Sequence, residues 1–575
     1  MGKPIPSTDT YHNVLVKHNY YRDSLELLRL SDEIKRYPGI MEASLVMGTK
    51  TNKEILIKLG FPIDNIAKAE SSDMIIALRA KDEALLLSTI PKIEAILRGT
   101  GTGSERTQDL DHSSTSDRHD LESVLSSDKE INIALISVPG EHVKGLAFRL
   151  IDEGIHQQIF SDHVTMDDEL EIKRYALKNH VLILGPGAGT SIINGRGIGF
   201  SNAVSTGPVA IVAAAGTGLQ EVSTLLDHCG IGVRHGLGVG GNDPKAKIGG
   251  LMMSEAFKML EESEDIDVIN IVSKPPAASV KQNIIDHAAK HGKKKYVMTF
   301  IGSNALPKDT KVKKVRGSIR RLTMQSNKII IANTLTSSVF ATAKHIANLN
   351  KSESSTDAIY VKIEDLKRIV HVERKQLRDE QKYLRALYTG GTFAYESQVI
   401  LNGLAIKPLY SNAPLTKAQL LQEATKSFKN SVIDLGEEEF TKGRAHPMID
   451  PTIRKLRINE EASYDDVAVI VLDFVLGYGS NPDPVGSVID EIRNAKLLAS
   501  EAKRHLSILA HVCGTRRDPQ GYDRSLTILK DAGVLVLPTN AFAAIAAAGI
   551  VTKKPLDFRE AYSLFIGGTH QGELT

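Results

Sequence analysis

Hydrophobic positions along the chain repeat with two different periods. Short runs of Val, Ile and Leu end at glycine or proline, and stretches with apolar residues three and four apart follow them. The first pattern predicts buried strands and the second amphipathic helices. Over 13–99, NVLVKHN, ASLVMGT and DMIIALRA read as strands, and RDSLELLRLSDEIKRY, NKEILIKLG and ALLLSTIPKIEAIL as helices. This predicts a small N-terminal α/β domain of βαβ type. From 131 the alternation is cleaner: INIALISVPG, HQQIFSD and VLILGPG are strands, separated by the helices EHVKGLAFRLIDEG and DDELEIKRYALKNH. Continuous apolar strands between amphipathic helices predict a parallel sheet covered on both faces. A further module starts near Gly207, with strands PVAIVAAAG, GVRHGLGVGG, DVINIVSKPP and KKYVMTFIG. The stretch IEDLKRIVHVERKQLRDEQKYLRAL reads as one long helix. It leads into a last domain with strands RALYTGG, SVIDLG, VAVIVLDFVLG, HLSILAHVCG and GVLVLPT.

Polar breaks divide this pattern. Residues 99–129 are rich in Ser, Asp, Gly and Thr and read as a mobile linker, and NKSESSTD at 350–357 is a second break. The expected domains are 13–99, a linker at 100–129, then 130–206, 207–348 and 385–575. A length of 575 residues fits several cores rather than one. Lys and Arg number 71 against 69 Asp and Glu, for a net charge of +2, which argues against nucleic acid or acidic lipid as a partner. The two cysteines, Cys229 and Cys513, form no CxxC pair, so a disulfide framework is not expected. The start MGKPIPSTDTYHNVLVKHNYY has no apolar core, and VLVLPTNAFAAIAAAGIV is broken by Pro, Thr and Asn. The 18 histidines show no metal-ligand spacing. A cytoplasmic, multidomain α/β protein with no membrane span and no metal is the expectation.

Several stretches could carry chemistry. IVAAAGTGLQEV at 211–222 and LYTGGTFAYESQVI at 387–400 each pass from an apolar strand through small residues and a Thr into a helix. In both, a Glu follows the Thr four positions on, as Thr217/Glu221 and Thr392/Glu396. A helix N-terminus offers unpaired N–H groups and partial positive charge. Gly216, Thr217 and Gly218, and Gly390, Gly391 and Thr392, could therefore cradle a phosphate or carboxylate. The plainer reading of each is a tight strand-to-helix corner. Neither turn has the Lys of a nucleotide-binding loop. Gly240 and Gly241, in GLGVGGNDPKAKIGG, line either a ligand cleft or a loop bent close to a neighbour. In GRAHPMIDP at 443–451, two prolines fix the backbone around Arg444, His446 and Asp450. His446 could act as acid, base or nucleophile, Arg444 as an anion clamp and Asp450 as the group orienting the imidazole. The alternative is a structured loop that uses its own polar groups. Lys274, in VSKPP, and Arg516, in CGTRRDPQ, are further anion-binding candidates.

Taken together, GPGAGTSIING, GPVAIVAAAGTGLQEV, GVGGNDPKAKIGG, IVSKPPAASV, YTGGTFAYES, VIDLG, GRAHPMIDP, VLDFVLGYGSNPDP and CGTRRDPQ resemble the FdrA family. That family is a branch of the acyl-CoA synthetase (succinyl-CoA ligase) superfamily. The resemblance implies a Rossmann-like CoA-binding-type domain at 130–206. It implies a flavodoxin-like ligase-α-type domain at 207–348 and a CoA-ligase domain of ligase-β C-terminal type at 385–575. It implies an active-site phosphate held between two helix N-termini, matching Gly216-Thr217-Gly218 and Gly390-Gly391-Thr392. CoA, if bound, would lie near Val138, Pro139 and Ser161. The sequence also departs from the ligases: KDTKVKKVRGSIRR stands where their phosphohistidine segment would lie, and no stretch matches an ATP-grasp nucleotide-binding domain. Members resemble a subunit of oxamate carbamoyltransferase. The implied activity is carbamoyl transfer between carbamoyl phosphate and oxamate/oxalurate, in allantoin breakdown, with partner subunits. The alternatives are an acyl-CoA ligase or CoA transferase whose nucleotide domain sits on another chain, and a non-catalytic regulatory subunit.

Overall fold

The computed structural model describes residues 10–97, 121, 124–125, 130–302, 328–350, 356–552 and 554–567. The linker expected at 100–129 and the stretch KDTKVKKVRGSIRR fall almost wholly or wholly outside these residues. The chain forms two compact units: Met1–Glu130 with Glu437–Ile453, and Ile131–Gly436 with Arg454–Thr575. A short segment inside the span expected as the last domain thus belongs with the N-terminal unit.

The first unit holds strands β1 (Tyr11–Lys17), β2 (Ile40–Met47) and β3 (Met74–Ala80), in the order β1-β3-β2. β3 runs antiparallel to both neighbours. β1 and β2 are therefore parallel, and helix Ser24–Lys35 makes the expected βαβ crossover with β3 slotted between them. Asp23 caps that helix by accepting from the N–H groups of Leu25 and Glu26. Leu27, Leu30, Ser31 and Ile34 lie on its buried stripe, the spacing of one helix face. They pack over Leu45, Met47, Ile76 and Leu78, while Leu56, Phe61 and Ile66 cover Ile75 and Ala77. The two packed faces explain why β3 is apolar almost throughout.

The second unit carries three sheets. β4 (Ile133–Ile136), β5 (His156–Ile159) and β6 (Ile183–Leu184) form a small parallel sheet. The next sheet holds β7 (Thr190–Ile193), β8 (Arg196–Gly199), β9 (Val209–Ala213), β10 (Val233–Gly238), β11 (Val268–Ser273), β12 (Lys295–Phe300) and β13 (Ile329–Ala332). Its order is β13-β12-β11-β9-β10-β7-β8: β9–β13 are parallel, in the flavodoxin-like order, and the β7–β8 hairpin is antiparallel. The last sheet holds β14 (Tyr383–Tyr388), β15 (Leu409–Ser411), β16 (Asn430–Asp434), β17 (Val467–Val475), β18 (Ser507–Cys513) and β19 (Leu535–Leu537). It is parallel throughout, in the order β15-β16-β14-β17-β18-β19. The α/β class with parallel sheets and a small N-terminal domain is the one the pattern predicts.

One element differs from expectation. The long helix stops at Gln376, and β14 begins only at Tyr383. Gln381 explains the break: its side-chain amide donates to the Val467 and His505 carbonyls, pinning the chain to the sheet edge. The strands β7, β8, β13 and β15 have no counterpart in the hydrophobic pattern, because each is too short to show a period of its own.

Candidate functional site

β9 and β14 each lie where their sheet's connections reverse direction, and a helix follows each: Gly216–His228 after β9 and Gly391–Gly403 after β14. Open α/β sheets bind ligands at such points, beyond the carboxyl ends of the strands. The two helix starts meet. Thr392 N donates to Thr217 Oγ1 at 3.3 Å. A Cβ on Gly390 would sit 2.9 Å from Thr217 Cγ2, and one on Gly218 3.2 Å from Thr392 Cγ2. Only glycine lets the two turns approach this closely.

Neither helix has a side-chain cap, because its N-cap residue is Ala215 or Gly390. Leu219 N takes the first intrahelical acceptor, Ala215 O, which leaves the Gly216, Thr217 and Gly218 N–H groups with no backbone partner. In the second turn Phe393 and Ala394 donate to Gly390 O, and the Gly391 N–H remains. Two dipole ends and several free donors thus share one place.

Asp473, fully buried in β17, holds the second turn in shape. Its carboxylate accepts from Thr389 N, Thr389 Oγ1 and Gly390 N at 2.8–3.0 Å. Arg454 balances its charge from behind, at 3.0 Å, and lies over the Phe474 ring. Behind the helix starts lie the two glutamates of the sequence repeat, both fully buried. Glu221 meets His511 Nε2 of β18 at 2.7 Å. Burial opposes charge on His511, but Glu221 outweighs it and raises the imidazole above its usual value. Glu396 accepts from Asn540 Nδ2 at 2.8 Å and Leu335 N at 2.7 Å. Burial still pushes its carboxyl up to about 7, and nearby Glu221 adds to this. The signal for Asp473 and His511 was present as single polar residues inside the apolar runs VIVLDFVLG and ILAHVCG.

Gly240 and Gly241 lie in a loop anchored by Asp243, which accepts from Met252 N, Met253 N and the fully buried Lys173. Lys173 also binds Glu169 and the Val239 carbonyl, so this loop's charges are used internally. Lys274 Nζ lies 5.3 Å from the ring centre of Tyr395, on the second helix. Arg516 is exposed and pairs with Asp523 at 3.0 Å. Its neighbour Asp518 is buried and ties the loop to Asn202 and Ala203 N. Val138 N donates to Ser161 Oγ at 2.9 Å, and Pro139 precedes helix Gly140–Asp152.

Arg444, His446 and Asp450 belong to the first unit. Arg444 and Asp450 form a buried pair at 2.7 Å, and Asp450 also accepts from Thr452 N and Oγ1. Burial works against the Asp450 charge, but Arg444 and Thr452 outweigh it and hold its carboxyl below the usual range. Asp450 was expected to orient the imidazole; its carboxylate instead holds Arg444 and the following turn. His446 Nδ1 accepts from Met448 N at 3.3 Å. Asn52 locks the segment down by donating to the Met47 and Gly443 carbonyls. Gly443 has φ +69°, and a Cβ there would meet Met47 and Thr49 at 2.9 Å.

The protein YahF of Escherichia coli, itself uncharacterized, is 32% identical over 94% of this chain and 98% of its own length. The chain belongs to the YahF family. Residues 387–551, which carry the second turn and Asp473, match the CoA-ligase family. The alpha subunit of an ADP-forming succinate–CoA ligase from Methanothermobacter thermautotrophicus is 28% identical over 23% of this chain and 46% of its own. An ADP-forming sulfoacetate–CoA ligase subunit, SqwL of Acholeplasma, is 20% identical over 34% of this chain and 66% of its own. Residues 10–113 match a family described as AllF, heavy metal-associated domain. Among the described residues of that span, 10–97, the donor set does not suit a heavy metal. Both cysteines of the chain lie outside 10–113, and among the described residues no three His, Cys, Asp or Glu side chains converge. Among the described residues, no helix is long and apolar enough to cross a membrane.

Proposed function

We propose that this chain is an acyl-CoA ligase-like subunit that holds an acyl phosphate between the two helix N-termini. One observation carries the reading: two uncapped helix starts meet through Thr217 and Thr392 and leave the Gly216, Thr217, Gly218 and Gly391 N–H groups unclaimed. A phosphoryl group there would accept from Gly216, Thr217, Gly218 and Gly391 N–H, and the dipoles would stabilise charge on the departing phosphate. In the reaction the CoA thiol loses its proton and attacks the acyl carbon. The C–O bond to phosphate breaks, giving a thioester and inorganic phosphate. Val138, Pro139 and Ser161, at the carboxyl ends of β4 and β5, would hold CoA. Lys274 and Arg516 would serve only as outer electrostatic guides. Nucleotide-dependent formation of the acyl phosphate would fall to a partner chain; both CoA-ligase relatives are themselves named as subunits.

The finer assignment to the FdrA family and to carbamoyl transfer rests on sequence resemblance, and neither relative named as a CoA ligase carries a carbamoyl-transferring name. Carbamoyl phosphate is an acyl phosphate, so one experiment separates the readings. Acetyl phosphate, carbamoyl phosphate and CoA are each titrated into the protein by calorimetry, with Thr217→Val and Thr392→Val as controls. The ligase-like reading expects acetyl phosphate and CoA to bind, and either substitution to weaken acetyl phosphate at least tenfold. Binding of carbamoyl phosphate alone favours the transferase. Binding that ignores both substitutions removes the cradle.

A further inference from the structure

A cavity lies beside the amino ends of β4 and β5 in the small sheet. It encloses about 270 Å³ and is lined by Ile133, Leu182, Leu184, Leu237 and Leu260, with His156 and His235 in its wall. Ile133 and His156 open β4 and β5, so this cavity sits at the amino ends of those strands, away from the carboxyl ends where the candidate site lies. Its volume falls just below the roughly 300–1,000 Å³ of pockets that take drug-sized ligands.

The two histidines are set in the same way. His156 Nδ1 accepts from Leu182 N at 3.0 Å, and His235 Nδ1 accepts from Asn194 N at 3.3 Å. A ring nitrogen that accepts a backbone N–H carries no proton, so in each neutral imidazole the proton sits on Nε2. Burial lowers both groups below their usual value, which keeps them neutral. Among the described residues neither Nε2 has a hydrogen-bond partner, and neither is sealed off as a buried unpaired atom. The mainly apolar wall thus carries two neutral histidines with Nε2 protonated, beside Asn132, Gln157 and Ser263, and no Lys or Arg lines it. Gln157, fully buried in the same wall, has its Nε2 taken by the Ala147 carbonyl, while its Oε1 is unpaired.

We infer that this cavity binds a small organic acid with an apolar body, whose carboxylate accepts from His156 and His235 Nε2–H while its chain lies against the leucines. Two donors suit one carboxylate, and the leucine wall suits a short aliphatic or aromatic remainder. An amine of the same size would meet two donors and no free acceptor at the histidines, and is rejected.

The test uses the full chain with hexanoate as probe and hexylamine as its counterpart. Binding is followed by saturation-transfer NMR and calorimetry. His156→Asn and His235→Asn keep a short acceptor for the backbone N–H and remove the Nε2–H donor. Hexanoate is expected to bind saturably, hexylamine not, and each substitution is expected to weaken hexanoate at least tenfold with no change in Tm. If either histidine variant misfolds, Met259→Trp, at the exposed rim, gives a second route, because the indole narrows the entrance and should abolish binding. Equal binding of amine and acid overturns the proposal. So does hexanoate affinity unchanged in folded variants, absence of hexanoate binding, or occupation of the cavity by a second copy of the chain, seen as a concentration-dependent mass.

Discussion

The paired turns at Thr217 and Thr392 and the segment 443–452 were both conspicuous for glycines next to groups able to bind an anion. The structure treats them in opposite ways. In 443–452 the charges face each other: Arg444 takes Asp450, Asp450 takes Thr452, and Asn52 closes the backbone. At the paired turns, the charges lie behind the backbone and the backbone donors are left over. A polar cluster that satisfies itself is architecture, whereas one that supports the backbone and leaves donors free is able to take a ligand.

The contrast is open to direct attack, and the largest effects come from the buried ion pairs. Asp473→Asn leaves Arg454 buried without its counter-charge, which should cost about 3–5 kcal/mol in denaturant unfolding and abolish acetyl phosphate binding. Arg444→Met should cost stability on the same order by stranding Asp450, yet leave acetyl phosphate affinity unchanged. The double variant Arg444→Met/Asp450→Leu should recover most of the loss. If Arg444→Met instead abolishes binding while the fold holds, the segment 443–452 is part of the chemistry.

Next in size is Gly390→Ala. Its Cβ would meet Phe393 at 2.7 Å and Thr217 at 2.9 Å, so the two turns must part. We expect a loss of about 1–3 kcal/mol and at least tenfold weaker acetyl phosphate binding. Unchanged affinity would mean that the close approach of the turns is only a packing detail.

The buried acids set a pH dependence. Glu396, lifted to about 7 from its usual 4.5 chiefly by burial, favours folding in its protonated form. Its contribution is complete below the usual value and is lost as pH rises through about 7. His511, raised by Glu221, has the same sign, because its contribution disappears as pH rises past its raised value. Unfolding free energy should therefore fall from mildly acidic pH through neutrality. Glu396→Gln should flatten the lower part of that window by on the order of 2–3 kcal/mol, and a curve identical to the native one would refute the assignment.

The smallest effect belongs to Arg516→Ala. Its exposed pair with Asp523 should be worth about 0–1 kcal/mol, and acetyl phosphate binding should change less than twofold. A larger loss of binding would return Arg516 to the site.

Local order was legible in the sequence because it depends on neighbours along the chain. Runs such as VAIVAAAG and VAVIVLDFVLG must be buried, glycines must end them, and the spacing of the helices follows from one apolar face. The repeated Thr and Glu of the two turns were visible for the same reason. That Thr392 N reaches Thr217 Oγ1 was not, since the two residues lie 175 positions apart and only sheet packing joins them. Asp473 and His511 showed as polar residues in apolar strands, but their partners, Thr389 and Gly390 for one and Glu221 for the other, come from other elements. GRAHPMIDP looked catalytic by composition. Its partner Asn52 lies 392 positions from Arg444, so only the tertiary structure showed that its charges are spent on holding the segment in place. Which residues are buried follows largely from sequence pattern, but which polar groups remain unsatisfied depends on distant neighbours, and the candidate ligand sites are read from those groups.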